Sequence, residues 1–180
     1  ITLIGCCGTY TAGEARHAGL AELDKALFED PRLSADGRVS CSTCHDPSHG
    51  FTDGRDLPLG ASGRIGTRNA TSLLDVATLE TFFWDGRETD LDVVVLQPLT
   101  NAVEHGNPDL AAVEKTLNSI PEYREQFKRL SGKPPNAKTA GEALAAYIRS
   151  LDRSITRFER YLSNKGPIQL THDELAGLDL

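Results

Sequence analysis

Methionine is absent from all 180 residues, which removes thioether sulfur from the metal ligands this chain could offer. A sequence without Met that opens at Ile1 is expected to be a processed or partial translation product. Long apolar runs are missing too: no stretch approaches the ~18 residues that a membrane-spanning helix requires, and transport by such a span is excluded. There is no Lys/Arg block, and 19 basic residues against 26 acidic ones leave a net charge of −7. Nucleic-acid binding, which needs a basic track for the phosphates, is therefore disfavoured. Aromatic residues make up only 6%, with a single Trp. What is present, 39% apolar and 25% charged residues, is the composition of a soluble globular protein with one ordinary domain.

Strand patterning is nearly absent. The one β-branched run, Val93-Val94-Val95, follows the acidic opening Glu88, Asp90 and Asp92 and reads as a buried helix. Helix-start signals recur instead. Capping boxes, a hydroxyl serving a first-turn amide with Glu three residues on, are expected at Thr11/Glu14, Ser119/Glu122, Thr139/Glu142 and Thr171/Glu174. Leu20, Leu23, Leu27 and Phe28 form an apolar stripe that Pro31 stops, and Leu144, Tyr147, Ile148 and Leu151 form another. Asn107-Pro108-Asp109 opens a further helix that turns Leu110, Val113 and Leu117 inward. The fold class is mostly α. Asp46 to Arg68, with five Gly inside it, reads as a long loop of the kind that carries function.

The four Cys form two pairs. Cys6 and Cys7 are adjacent, a spacing that rarely bridges. Leu3-Ile4-Gly5-Cys6 resembles a lipoprotein lipobox but lacks the charged n-region, so a lipid anchor and a frayed apolar N-terminus both stand as readings. The second pair carries the chemistry: Cys41-Ser42-Thr43-Cys44-His45 is the attachment signature of c-type haem. Cysteines three apart share one face of a helical turn, where their sulfurs add to the two vinyl groups of one porphyrin, and His45 next in line ligates the iron. A thioredoxin-like motif would need a βαβ context and a zinc site a second ligand pair, and neither is present. Covalent haem implies an exported, periplasm-like compartment. The sixth iron position separates electron transfer from catalysis, and with no Met its nitrogen candidates are His17, His49, His105 and His172. His49 follows His45 too closely to cross the ring, and His105 has an acid-base neighbour, Glu104.

Several segments together resemble the N-terminal haem domain of the bacterial dihaem cytochrome c peroxidase and MauG family. They are Ala26-Leu27-Phe28 to Leu33-Ser34, Val39-Ser40-Cys41 to Asp46-Pro47, Gly66-Thr67-Arg68-Asn69, Phe83-Trp84-Asp85-Gly86-Arg87, Gln97-Pro98-Leu99 to Val103-Glu104, and Ala145 to Leu151, in order over most of the chain. The resemblance implies a cytochrome c-like helical domain around covalent haem c, where hydrogen peroxide reacts, beside a second domain with an electron-transfer haem. It implies Glu104 as distal acid-base residue, Trp84 as electron relay and Asn69 as a ligand to calcium at the domain interface. Three positions depart from the family pattern: Ala61 stands where a capping histidine is expected, Val94 where Gln is, and His105 where Met is. Ala61 cannot ligate, which points to an open distal side; His105 is assigned to acid-base work, with iron ligation as the opposing reading.

The expected organisation is an N-terminal tail over 1–12, a haem domain over 13–170, and over 171–180 the start of a connection to a second haem domain. The function read here is reduction of hydrogen peroxide by a c-type haem oxidoreductase. Electrons would come from a small cytochrome or cupredoxin, or from a protein side chain; the acidic surface would favour a basic donor. The alternative is a non-enzymatic electron-transfer subunit with six-coordinate haem.

Overall fold

The structure, a computed structural model, describes residues 12–151, 155–163 and 169–180, with side chains from Ala21 onward. Cys6, Cys7 and Thr11 lie outside the described residues, as do the side chains of Glu14, His17 and Leu20. In chain order the helices are α1 (Ala12–Glu29), α2 (Cys41–Cys44), α3 (Leu91–Val94), α4 (Gln97–Thr100), α5 (Leu110–Ser119), α6 (Pro121–Ser131), α7 (Ala137–Ser150), α8 (Arg157–Leu162) and α9 (His172–Leu178). Among the described residues the only β pairing is three isolated bridges, Asp46 with Thr52, Leu59 with Ile65 and Phe82 with Glu88.

The core follows the apolar stripes. On α1, Leu23, Leu27 and Phe28 are at most 1% exposed and pack against α6 and α7. On α6, Tyr123, Phe127 and Leu130 recur at helical spacing on the buried face. On α7, small residues (Ala140, Ala143, Ala145) alternate with Leu144 and Ile148, letting α1 approach closely. Truncating a fully buried side chain such as Leu27 to Ala would cost about 2–5 kcal/mol.

Two polar clamps connect this bundle to the haem-attachment segment. Asp30 caps the turn Pro31–Leu33, accepts from Arg32 Nε (2.9 Å) and Nη2 (2.7 Å), and accepts from the Tyr123 hydroxyl of α6 at 2.7 Å. Burial opposes ionisation of Asp30, but those hydrogen bonds outweigh it and hold its carboxyl below the usual range. Asn107, itself buried, donates from Nδ2 to the carbonyls of Leu33 and Leu99, both at 2.8 Å. One side chain thus satisfies two buried carbonyls from separate segments. Ser34 Oγ then accepts from the amides of Arg38 and Val39, each at 3.1 Å, aiming the chain into Ser40-Cys41.

Several expected boundaries shift. Asp109 caps α5, so Pro108 lies before the helix rather than in its first turn. Val93-Val94-Val95 is helical through Val94, yet Val93 is 43% exposed and only Val95 is buried. No capping box forms at Ser119, whose hydroxyl donates back to Thr116 O within α5; α6 instead begins with Pro121, which has no amide to cap. Thr139 is the third residue of α7 rather than its cap, because Asn136 occupies that place and the two exchange the reciprocal bonds, Thr139 N to Asn136 Oδ1 (3.0 Å) and Asn136 N to Thr139 Oγ1 (3.1 Å). Thr171/Glu174 forms as expected, and Thr156/Glu159, which the sequence reading missed, forms another.

Candidate haem site

Helix α2 is a single turn, and it puts Cys41 and Cys44 on one side with both sulfurs free. Thr43 Oγ1 accepts from Ser40 N at 3.0 Å and His45 N donates to Cys41 O at 2.9 Å, closing the turn at both ends. Burial pushes the Cys41 thiol up to about 12, and Cys44, Glu104 and their charges add to it. Burial, with the charges of Asp53 and Glu104, pushes Cys44 up to about 11. Both sulfurs stay protonated at neutral pH, the form in which S–H adds across a vinyl group.

His45 lies where the chain doubles back. Asp46 N donates to Thr52 O (3.0 Å) and Phe51 N to Asp46 O (2.8 Å), with Gly50 (φ 63°) and Phe51 (φ 60°) in the left-handed region. For a phenylalanine that backbone costs about 1–3 kcal/mol. It places Phe51 O 3.0 Å from His45 Nδ1. A carbonyl only accepts, so Nδ1 carries the proton and the Nε2 lone pair is left for a metal. Burial lowers the imidazole pKa, more than the Phe51 and Thr71 backbone and the Asp53 charge raise it, which keeps the ring in its neutral, ligating form.

Glu104 stands on a tight turn between α4 and α5. Asn101 Nδ2 donates to Glu104 Oε1 at 2.8 Å, and Asn101 Oδ1 accepts from Val103 N at 2.9 Å. The Gly-rich loop closes over the same turn: Ala61 N donates to Glu104 O at 2.7 Å, and a Cβ on Gly60 would stand 1.7 Å from Val103 O. Only glycine permits that approach. Burial raises the Glu104 carboxyl, offset in part by the Arg87 charge. Ala61 is 3% exposed, so the position expected to lack a capping histidine lies buried beside the acid.

His105 is buried, with Nε2 4.0 Å from Cys41 Sγ. Trp84 is 63% exposed, outside the core, and its Nε1 donates to Asn69 O at 3.0 Å. The residues expected at a domain interface are thus joined. Asn69 Nδ2 donates to Arg55 O at 2.6 Å. Asp85 receives both Arg68 (3.2 Å) and Arg87 (2.8 Å), and Arg87 stacks over the Phe83 ring at 3.6 Å. His49 is exposed beside Asp46 and His172 is exposed on α9; neither approaches the cysteines through any contact here. Among the described residues no three His, Cys, Asp or Glu side chains gather into a metal site.

The sequence reading missed Asn101, Asn107, Gly60 and Arg87. Asn101 had a local signal, an Asn two residues before the amide it caps; Asn107 and Gly60 reach Leu33 and Val103 across long separations.

These residues fit a haem. Two protonated thiols share one helical turn, a neutral imidazole has its far nitrogen free, and the apolar side chains of Leu57, Leu59 and Ile65 stay exposed on the loop whose Leu59 carbonyl lies 4.0 Å from Cys44 Sγ. That donor set and apolar rim suit a flat macrocycle held by its edge. Fold and site together define a helical c-type haem domain.

The chain belongs to the di-haem cytochrome c peroxidase family, whose model matches residues 18–166. The methylamine utilization protein MauG of Methylophilus methylotrophus is 38% identical over 144 residues, covering 79% of this chain and 43% of that protein. The cytochrome c551 peroxidase of Nitrosomonas europaea is 35% identical over 165 residues, 91% of this chain and 49% of that one. Among solved structures, a MauG-like protein associated with microbial copper homeostasis superimposes with a TM-score of 0.79 at 30% identity, covering 89% of this chain and 48% of that one. The diheme peroxidase BthA of Burkholderia thailandensis follows at 0.76 and 29%, over 89% and 45%. The chain therefore spans about half the length of the relatives it matches. Membership makes haem c the cofactor of this domain, and no helix among the described residues is long and apolar enough to cross a membrane.

Proposed function

We propose that this domain is the peroxide-reacting half of a dihaem peroxidase. The observation that carries the reading is the half-buried Glu104, raised in pKa and braced by Asn101 Nδ2 and by the loop amide of Ala61, close enough to α2 for its charge to act on both cysteines. The haem, when bound, supplies the redox-active iron at which peroxide is reduced. Cys41 and Cys44 would hold the porphyrin edge, and His45 would present Nε2 to the iron with its ring fixed through Nδ1. Glu104 accepts a proton from hydrogen peroxide and returns it to the oxygen that leaves as water, work for which a carboxyl raised toward neutrality is suited. Ala61, with only a methyl group beside that acid, leaves the distal side open.

Electrons would reach the site from a second haem domain by way of Trp84, whose exposure and bond to Asn69 suit an interface. The ultimate donor would be a small cytochrome or cupredoxin, or the side chain of a protein substrate, as MauG relatives suggest. Asn69, its Nδ2 spent on Arg55 O, has Oδ1 left for a hard cation such as calcium. The organisation proposed is a tail over 1–12, the haem domain over 13–170 and the start of a connection over 171–180, in an exported, periplasm-like compartment where covalent haem is attached.

The test is stopped-flow mixing of the ferric holoprotein with hydrogen peroxide, comparing wild type with Glu104→Gln. A rapid stoichiometric reaction in the wild type, slowed by about 10²–10⁴-fold in the variant at unchanged haem content, is expected. A wild type inert to peroxide, with a low-spin spectrum, would reverse the reading in favour of an electron-transfer subunit.

A further inference from the structure

His105 is 4% exposed, and its Nδ1 has no hydrogen-bond partner. Its backbone is fixed on both sides: the amide donates to Pro98 O at 3.2 Å, and the carbonyl accepts from Ala35 N at 2.8 Å. Burial pushes the imidazole down to about 4, and the ring is neutral under physiological conditions. A neutral imidazole with one unpaired buried nitrogen carries a desolvation penalty that a phenyl ring of similar shape would not. The contact made by the other nitrogen, Nε2 at 4.0 Å from Cys41 Sγ, spans 64 residues of sequence. That contact joins the turn bearing Glu104 to the turn bearing the attachment cysteines.

We propose that His105 is a positioning residue that seats its imidazole on the Cys41 sulfur and so ties the Glu104 turn to the covalently attached edge of the haem. Cys41 would hold the porphyrin edge through that sulfur, so the His105 nitrogen in contact with it would bear on the attachment point. Glu104 is the adjacent residue, and Gly106 on the other side takes φ 74°, with Ala61 Cβ 3.2 Å from where its own Cβ would be. The acid therefore has little freedom to re-aim once His105 is held, and it loses that definition when the ring nitrogen is removed. This inference rests on Glu104 being the proton-handling group of the proposed function.

Cyanide association with the ferric holoprotein tests it without requiring turnover, because hydrogen cyanide must give up a proton near the iron before it binds. His105→Phe is expected to keep haem content, helicity and spin state while slowing cyanide association by about 10-fold, the order of loss that small misplacements produce. The acid limb of its pH profile should move down toward that of an ordinary glutamate, and His105→Gln, which restores an N–H, should recover most of the rate. In a Glu104→Gln background the Phe substitution should have less than about 2-fold effect, since coupled residues do not add. A wild type that refuses cyanide while His105→Phe turns high-spin and binds it would make His105 an iron ligand and overturn the proposal. An equal loss from His105→Phe with and without Glu104 would overturn it as well. If cyanide behaves as expected while every protein is inert to peroxide, the positioning role stands and the peroxidase reading falls.

Discussion

Asp24 carries an ionisable oxygen into the helical core with nothing to receive it. The residue is 5% exposed, Oδ1 has no hydrogen-bond partner, and burial raises its carboxyl from 3.8 to about 6. Folding therefore favours the protonated form. Its contribution is fully present below the unfolded pKa and is lost as pH rises through the folded one. A displacement of roughly two units corresponds to about 3 kcal/mol. However, Asp24 borders a cleft of about 380 Å³ between α1, α6 and α7, and water there screens the charge. We expect about 1–2 kcal/mol after that discount. Asp24→Asn keeps the size and polarity but cannot ionise. Urea unfolding of wild type and variant at pH 4 to 8 should give near-equal stability at pH 4 and a variant more stable by about 1–2 kcal/mol at pH 8, the difference growing as pH rises toward the raised pKa and levelling off above it. A difference that stays flat across that range, or a variant less stable at pH 8, would refute the assignment of a buried, uncompensated carboxylate.

The remaining predictions concern the site and its supports. In Glu104 the pKa is raised by burial, so the peroxide reaction of the wild type should decline as pH falls through a value above the ordinary glutamate range, and Glu104→Gln should abolish that limb; stopped-flow rates against pH decide it. Asn107→Leu removes two 2.8 Å bonds, leaving the Leu33 carbonyl unpaired and the Leu99 carbonyl with only the 3.3 Å bond from the residue-107 amide, for an expected loss of about 1–3 kcal/mol by thermal or urea unfolding. Gly60→Ala would drive a Cβ to 1.7 Å from Val103 O, a backbone atom that cannot swing aside. The loop must lift and break the Ala61 N to Glu104 O bond, so cyanide and peroxide association should both fall while haem content by pyridine haemochrome is kept.

How far the sequence could be read depends on how local each interaction is. The stripe ending Leu23-Leu27-Phe28 and the cap Thr171/Glu174 depend on residues three or four apart, and both appear as their spacing implies. The same local rule misplaced the starts of α6 and α7, because Ser119 and Thr139 had stronger local competitors in Pro121 and Asn136. Cys41, Cys44 and His45 were legible because haem attachment demands consecutive spacing. Glu104 was not: nothing nearby separates it from the other 25 acids, and its burial comes from Gly60-Ala61, over 40 residues away, folding onto its turn.

The loop from Asp46 to Arg68 shows why such a site is held by backbone rather than by core packing. Its side chains are largely exposed and it contains only short turns and isolated bridges, so apolar burial contributes little to its shape. What fixes it are single polar bonds to distant segments: Ser62 N to Asp36 Oδ2 (2.6 Å), Arg64 Nη1 to Ala102 O (2.6 Å), Ala61 N to Glu104 O (2.7 Å) and Ser72 Oγ to Gly50 O (2.6 Å). Each is worth only about 0.5–1.5 kcal/mol alone. Three of the four join the loop to the two turns that flank Cys41 and Glu104. The acid and the attachment cysteines are therefore registered to one another through the loop, and a cofactor fixed covalently at α2 would meet an acid whose position the polypeptide has already set.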